Sequence, residues 1–296
     1  MSEDKEITAK IDTEELFKKW QEKIDHSKSI KTIIAIGAKT DLGRVRENNE
    51  DKYEFFTPEE EDVLASKGSF FAVADGMGGH SAGQIASELA LKTVIKSYYN
   101  DKSPVINESL RNAVKEANAV IYETSRAIVE RNGMGTTLTA LVIRGEEIFI
   151  AQVGDSRCYR LRDGNIEQIT EDHSWVNEQV KRGGMTEEEA MMSPYKNVIT
   201  RSLGNNPTVE VDIFTDEIEP DDKYLLCSDG LSNLVTPDEI KNEMQKASAS
   251  FAASNLVDIA LDRGGHDNVT VLIVHIKEIS TKPVKKKGIA SLFGRG

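Results

Sequence analysis

Apolar residues first recur at helical spacing at Leu16, Phe17, Trp20 and Ile24, behind Asp12 with Glu15 three positions later, the pairing of a helix cap. The spacing predicts an amphipathic helix whose stripe docks on this chain's own body, with another protein as the alternative partner. From residue 31 the period changes. Residues 31–38 and 69–74 read as short strands, and residues 82–99 and 106–131 as two long amphipathic helices. Only strands follow, over 137–143, 147–153 and 156–161, the first two joined at Gly145 and the last leading into an Arg162-Asp163-Gly164-Asn165 hairpin signal. Residues 172–204 are polar and helix-prone around Gly183-Gly184, the pattern of an inserted flap. Residues 223–227 and 269–276 are predicted strands enclosing helices near 237–246 and 251–263. There is no internal repeat and no low-complexity segment.

Composition narrows the class. The 296 residues hold 37 Lys+Arg against 50 Asp+Glu, a formal charge of −13, and 39% are hydrophobic. That describes a globular chain with ample material for a core. Its long-range field repels a phosphate backbone, which argues against general nucleic-acid binding. The longest apolar runs fall far short of the ~18 to 20 residues of a membrane span, and the opening ten residues hold no apolar signal region. The expected location is therefore cytoplasmic. Cys158 and Cys227 lie in apolar runs without CxxC spacing and read as inert core residues. Charge is unevenly spread. Residues 281–296 carry Lys282, Lys285, Lys286, Lys287 and Arg295 and no acid, so the −13 divides into +5 there and −18 over residues 1–280. This end reads as a solvated tail, with Ile289, Leu292 and Phe293 as alternative contacts to an acidic surface or membrane.

The informative feature is where acids fall relative to strands. The run Phe70–Ala74 ends at Asp75-Gly76, Ile148–Val153 ends at Gly154-Asp155, Tyr224–Cys227 ends at Ser228-Asp229-Gly230, and Asp267-Asn268 immediately precedes Val269–Ile276. One Asp-Gly is ordinary turn chemistry. Turns do not require an acid at four strand ends, however, and strand ends are rigid mounts beside solvent. Acids gathered at one sheet edge would repel each other unless a hard divalent cation neutralised them. Oxygen ligands without His or Cys point to Mg²⁺ or Mn²⁺ rather than zinc.

The motifs Arg46-Glu47-Asn48-Asn49-Glu50-Asp51, Asp75-Gly76-Met77-Gly78-Gly79, Gly135-Thr136-Thr137, Val153-Gly154-Asp155-Ser156-Arg157, Ser228-Asp229-Gly230 and Gly265-His266-Asp267-Asn268-Val269-Thr270 then stand in order. Together they resemble the metal-dependent serine/threonine protein phosphatases of the PP2C family in their bacterial form, over roughly residues 33–277. Six motifs in order are far more specific than any one tripeptide. The resemblance implies an α+β fold, a four-layer α/β/β/α sandwich of two antiparallel sheets flanked by helices. It divides the chain into an N-terminal extension (1–30), a phosphatase domain (31–278, with its flap at about 172–204) and the basic tail (279–296).

The resemblance also implies roles. Asp75 would bridge two metal ions, with the Gly76 carbonyl on one and Asp229 and Asp267 on the other. Asp155 matches an acid that helps hold a third, weaker ion, and Glu50 and Asp51 match acids that bind metal-coordinated waters. Two ions roughly 3.5 to 4 Å apart make a bridging water acidic enough to attack phosphorus as hydroxide, with no phosphoenzyme. Arg46 is the candidate cation for the phosphoryl oxygens. Thr136, Thr137 and Ser156 read instead as strand residues or buried hydrogen-bond partners, and Asn268 as a residue that orients the loop around Asp267.

Met77 stands where eukaryotic members carry a histidine thought to protonate the leaving alkoxide. A thioether donates no proton, which leaves a metal-bound water or His80 as alternatives. His173 reads as the start of the flap, where Arg182 and Met185 are expected to influence which phosphoprotein is accepted. The function implied is a phosphoserine/phosphothreonine phosphatase opposing serine/threonine kinases, acting on kinases and their targets as a monomer. A catalytically silent binding protein of the same fold is the alternative, as is an anti-sigma-antagonist phosphatase. The first would typically lose a metal Asp or the phosphate Arg and the second commonly lacks the Arg46 counterpart, whereas Arg46, Asp75, Asp229 and Asp267 are all present. No GxxxxGK[ST] loop supports an NTPase.

Overall fold

Every residue from Ser69 to Ala74 is buried, so this strand has two apolar faces and belongs inside a layered structure. Phe70, Ala72 and Ala74 point to one cluster of core residues and Phe71 and Val73 to another. The computed structural model describes residues 13–78, 82–246 and 248–281, with side chains from residue 18 on. Asp12, His80 and the tail beyond residue 281 lie outside the described residues, as do the side chains of Glu15, Leu16 and Phe17.

In chain order the elements are α1 (Thr13–Ser29), β1 (Ile30–Asp41), β2 (Lys52–Phe56), α2 (Glu61–Lys67), β3 (Ser69–Ala74), β4 (Gly76–Met77), α3 (Ala82–Asn100) and α4 (Ile106–Ala127). Then come β5 (Gly135–Thr136), β6 (Leu138–Arg144), β7 (Glu147–Val153), β8 (Arg157–Arg162), β9 (Asn165–Gln168), α5 (Trp175–Lys181) and α6 (Glu187–Met192). The chain closes with β10 (Asp212–Glu217), β11 (Lys223–Cys227), α7 (Asp229–Ser232), α8 (Pro237–Lys246), α9 (Ala249–Asp262) and β12 (Val269–Thr281). One antiparallel sheet has the order β1-β12-β11-β8-β9, the second β10-β7-β6-β3-β2, and β4 pairs with β5 as a separate two-stranded piece.

Three cores separate four layers. Phe71, Val73, Leu141 and Ile150 of one sheet meet Tyr224, Leu226, Leu272 and Val274 of the other. Phe70, Ala72, Ala140 and Phe149 face α3 and α4, while Leu225, Val271 and Ile273 face α8 and α9. This is the four-layer α/β/β/α sandwich expected from the sequence. Cys158 and Cys227 are free and buried on either side of one sheet. The second long helix is shorter than its period suggested. It stops at Ala127: Ile128 is extended at φ −129°, ψ 114°, and Val129–Arg131 form a 3₁₀ turn before Asn132-Gly133.

The N-terminal helix docks on the chain itself. Ile24 is buried, and Lys23, His26 and Lys28 pair with Glu147, Glu146 and Asp62 at 2.9, 3.2 and 2.7 Å. These exposed pairs contribute little stability each, so apolar contact around Ile24 does most of the anchoring.

Candidate metal centre

Strand register brings the predicted acids to one end of the sandwich. In one sheet Lys52 pairs with Ala74, Val73 with Thr139 and Leu138 with Val153, so Asp51, Asp75 and Gly154 sit at a common edge. In the other, Asp41 pairs with Val269 and Cys227 with both Val271 and Arg157, which aligns Asp267, Asp229 and Asp155. The Gly154–Ser156 turn leads from β7 to β8 and so joins the two edges.

Close backbone approach makes this possible. A Cβ on Gly76 would stand 2.1 Å from the Gly83 carbonyl oxygen, and one on Gly83 would stand 2.2 Å from Glu50 Oε2. Only glycine fits at either place. Glu50 is thereby laid across the start of α3, and its carbonyl accepts from Gly76 N at 3.2 Å.

Hydrogen bonds then fix the backbone at Glu50 and Asp75. Asn268 Oδ1 accepts from Glu50 N at 2.8 Å, and its Nδ2 donates to the carbonyls of Leu42 and Asn48, both at 2.9 Å. This one side chain holds the 42–50 loop that carries Arg46. Thr137 Oγ1 accepts from Asp75 N at 2.9 Å and meets Ser156 Oγ at 2.7 Å, while Thr136 Oγ1 donates to the Asp75 carbonyl at 2.9 Å. All three hydroxyls are buried scaffold, as the sequence suggested.

Other supporting residues act through contacts that the motifs do not reveal. Ser228 Oγ donates to Asp51 Oδ2 at 2.6 Å and accepts from Thr270 N at 3.0 Å. Gln152 Nε2 donates to the carbonyls of Gly154 and Ser156 at 3.0 and 2.7 Å. His173 Nδ1 accepts from Gly154 N at 3.0 Å, which places the ring proton on Nε2 facing Asp212 Oδ2 at 3.2 Å. The turn presenting Asp155 is thus gripped from both sides. Gln152 had one sequence signal, a polar residue inside the apolar run Ile148–Val153.

Electrostatics single out the same pocket. Burial pushes the Asp51 carboxyl up to about 7, against a hydrogen bond from Ser228, and nearby Asp229 and Asp267 add to the rise. Asp155 is pushed up to about 8, by burial first and then by Asp229 and Asp172. Asp75 stands well above the usual carboxylate range through burial and the charges of Asp51, Asp229, Asp155 and Asp267. Asp229 is raised by burial and by Asp267, and its carboxyl is within hydrogen-bonding reach of that of Asp75. Burial also raises Glu50.

Two oxygens, Asp51 Oδ1 and Asp155 Oδ1, are buried without any hydrogen-bond partner. An unpartnered buried carboxylate oxygen is costly. A hard divalent cation satisfies such oxygens and relieves the repulsion between their carboxylates, so these residues fit one. Among the described residues no three His, Cys, Asp or Glu side chains already stand at ligand geometry. Asp267 is turned onto Arg46 instead, with Nη2 2.7 Å from its Oδ2. Met77 pairs with Gly135 beside the pocket. The flap residues are less involved: exposed Arg182 faces Glu178 at 3.5 Å rather than the carboxylates, and Met185 is half-buried between α5 and α6.

Residues 38–269 match the family model described as protein phosphatase 2C. The chain belongs to the protein phosphatase 2C family. The serine/threonine phosphatase stp of Listeria welshimeri serovar 6b is 39% identical over 241 residues, 80% of this chain and 93% of that protein. The solved S. agalactiae serine/threonine phosphatase superposes with a TM-score of 0.76 at 36% identity, covering 83% of this chain and 100% of the other. The catalytic domain of the serine/threonine phosphatase PstP, solved in complex with two manganese ions, gives a TM-score of 0.73 at 35% identity over 84% of this chain and 100% of that domain. A PP2C relative of bacterial type is a protein-serine/threonine phosphatase, and the class is metal-dependent. Helix α1 precedes the matched residues. Among the described residues no helix is long and apolar enough to cross a membrane.

Proposed function

We propose that this protein phosphatase hydrolyses phosphoserine and phosphothreonine at the carboxylate pocket by direct attack of water, with Mg²⁺ or Mn²⁺ bound, in opposition to serine/threonine kinases. The convergence of Asp51, Asp75, Asp155, Asp229 and Asp267, two of them with unpartnered buried oxygens, carries the reading. Asp75, the Gly76 carbonyl, Asp229 and Asp267 would hold two core ions and Asp155 a third. Bound there, the ions would supply Lewis acidity toward phosphoryl oxygens and a water whose pKa is brought near neutrality.

The remaining work falls to the chain. Arg46 grips phosphoryl oxygens as a bidentate donor. Its pairing with Asp267 is half-exposed and therefore weak enough to exchange for a dianionic phosphate. Asp51 presents Oδ1 as an open acceptor that orients water, while Ser228 holds its other oxygen still. Glu50, fixed over Gly83, adds a second acceptor at the pocket wall. Asn268 keeps Arg46, Glu50 and Asp51 on one rigid loop.

Purified protein should hydrolyse a phosphothreonine peptide and an aryl phosphate with added Mn²⁺, and lose both activities with a chelator. Asp75→Asn and Asp229→Asn should lose them as well. Hydrolysis that survives chelation overturns the reading.

A further inference from the structure

A second concavity opens beside the pocket, about 450 Å³ in volume, with Tyr122, Arg126, Val129, Asn132, Gly204 and Asn205 among its lining residues. Its wall is tied to the candidate metal centre through paired backbone. Asp75 leads directly into β4, where Gly76 pairs with Thr136 and Met77 with Gly135. On the far side of β5, Thr136 N donates to the Leu203 carbonyl at 3.1 Å and Leu203 N to the Thr136 carbonyl at 2.9 Å. A Cβ on Gly135 would stand 3.1 Å from Asn205 Oδ1 and 3.4 Å from Met77 Cγ. One glycine therefore separates the groove wall from the residue two places after Asp75.

The wall is rigid. Fully buried Asn118 accepts from Gly204 N at 2.9 Å through Oδ1 and donates to the Asn206 carbonyl at 3.0 Å. Gly204 lies at φ +90°, packed so closely that a Cβ would fall 2.4 Å from Ile121 Cγ2. Asn205 Nδ2 donates to Ser202 Oγ at 2.6 Å. Such a surface keeps its shape when a ligand arrives, which reduces the ordering cost of binding.

Its chemistry suits a polar chain. Among the described residues Arg126 is the one charged residue lining the groove, in a protein whose formal charge is −13. Its Nη1 donates to Tyr122 Oη at 2.7 Å and the guanidinium lies 5.5 Å from that ring, so the head group is oriented while four of its five N–H donors have no partner among the described residues. Glu123, on the same helix, is the acid that bears on it electrostatically. Asn132 and Asn205 supply amides that match peptide backbone groups, and Val129 at the rim is 85% exposed.

We infer that this groove holds the stretch of substrate polypeptide next to the phosphorylated residue, and that Arg126 selects substrates with a carboxylate there. The assignment deepens the phosphatase reading and rests on it. From β4 across β5 to Leu203 is two strand spacings of about 4.8 Å, and an extended chain rises about 3.3 Å per residue, so a substrate following that path would offer the groove its residues two or three places from the phosphoester.

The test uses the full chain with Mn²⁺ and paired phosphothreonine peptides differing by Asp or Asn two or three places from the phosphothreonine. Wild type should favour the acidic peptide in kcat/KM by about three- to tenfold, through KM, the range of an exposed to well-oriented ion pair. Arg126→Glu should reverse the ratio. Lys115→Glu, an equal charge change on an exposed position of the same helix, should leave it unchanged. Equal use of the two peptides by wild type, or a preference that survives Arg126→Glu, overturns the groove assignment while aryl phosphate turnover continues. Failure of wild type to hydrolyse peptide and aryl phosphate alike overturns the phosphatase reading itself. A dimer abolished by Arg126→Glu in sedimentation would give the groove to a second copy and also overturn the assignment.

Discussion

Replacing Asn268 by alanine removes three hydrogen bonds at once, those to Glu50 N and to the carbonyls of Leu42 and Asn48. Each neutral bond contributes about 0.5–1.5 kcal/mol net. The Leu42 and Asn48 carbonyls lie on an exposed loop where water can replace the lost donor, whereas Glu50 is half-buried. The expected loss is therefore about 2–3 kcal/mol, read as a fall in the urea midpoint with an unchanged slope. Because the loop carries Arg46, Glu50 and Asp51, phosphopeptide kcat/KM should fall about ten- to a hundredfold through misplacement alone. Asn268→Asp keeps the acceptor for Glu50 N but loses both donors, so it should retain part of the stability. A loss below about 0.5 kcal/mol with unchanged kinetics would refute the claim that this side chain builds the loop.

Gly76→Ala places a Cβ 2.1 Å from the Gly83 carbonyl oxygen. It should destabilise the protein by about 3 kcal/mol or more and abolish phosphatase activity; a variant with wild-type urea midpoint and activity would contradict that packing. His275 is buried on β12, and its pKa is lowered by burial and by Lys277 and Lys223, with Asp221 at 3.5 Å too distant to compensate. A lowered histidine stays neutral in the fold, so its contribution is intact above the ordinary value near 6.5 and is lost as pH falls through that value toward the folded pKa. His275→Leu should therefore gain on wild type in melting temperature as pH drops from 7 to 5, and a pH-independent difference between the two would remove His275 as a source of acid sensitivity.

The acids at strand ends were legible because an apolar run followed by Asp-Gly marks both the strand and its exit. Ser69–Ala74 and Glu147–Val153 stand almost where their patterns put them, since both are buried on both faces. The edge strands β2 and β10 leave no such mark in the sequence. Lys52-Tyr53-Glu54-Phe55-Phe56 and Asp212–Glu217 pair on one side only and stay partly exposed, so they carry no unbroken apolar run. Short α2 escaped for a related reason, as only Ala65 in it is buried. At the pocket, motif residues were visible one by one, but their connections were not. Nothing in sequence separation links Ser228 to Asp51 across 177 positions, or Asn268 to Glu50 across 218. Those links arise only when register aligns the two sheet edges. Gly83 carries no signal of its own, because a glycine near the start of a helix gains meaning only when its neighbour, Glu50, is placed against it.

The most direct test of the central claim is calorimetric titration of the metal-stripped protein with Mn²⁺, alongside Asp75→Asn and Asp229→Asn. The carboxylate pocket predicts tight binding to wild type, a rise in melting temperature on loading, and loss of both effects in each variant. Undiminished Mn²⁺ affinity in Asp75→Asn and Asp229→Asn would place the metal elsewhere and contradict the account.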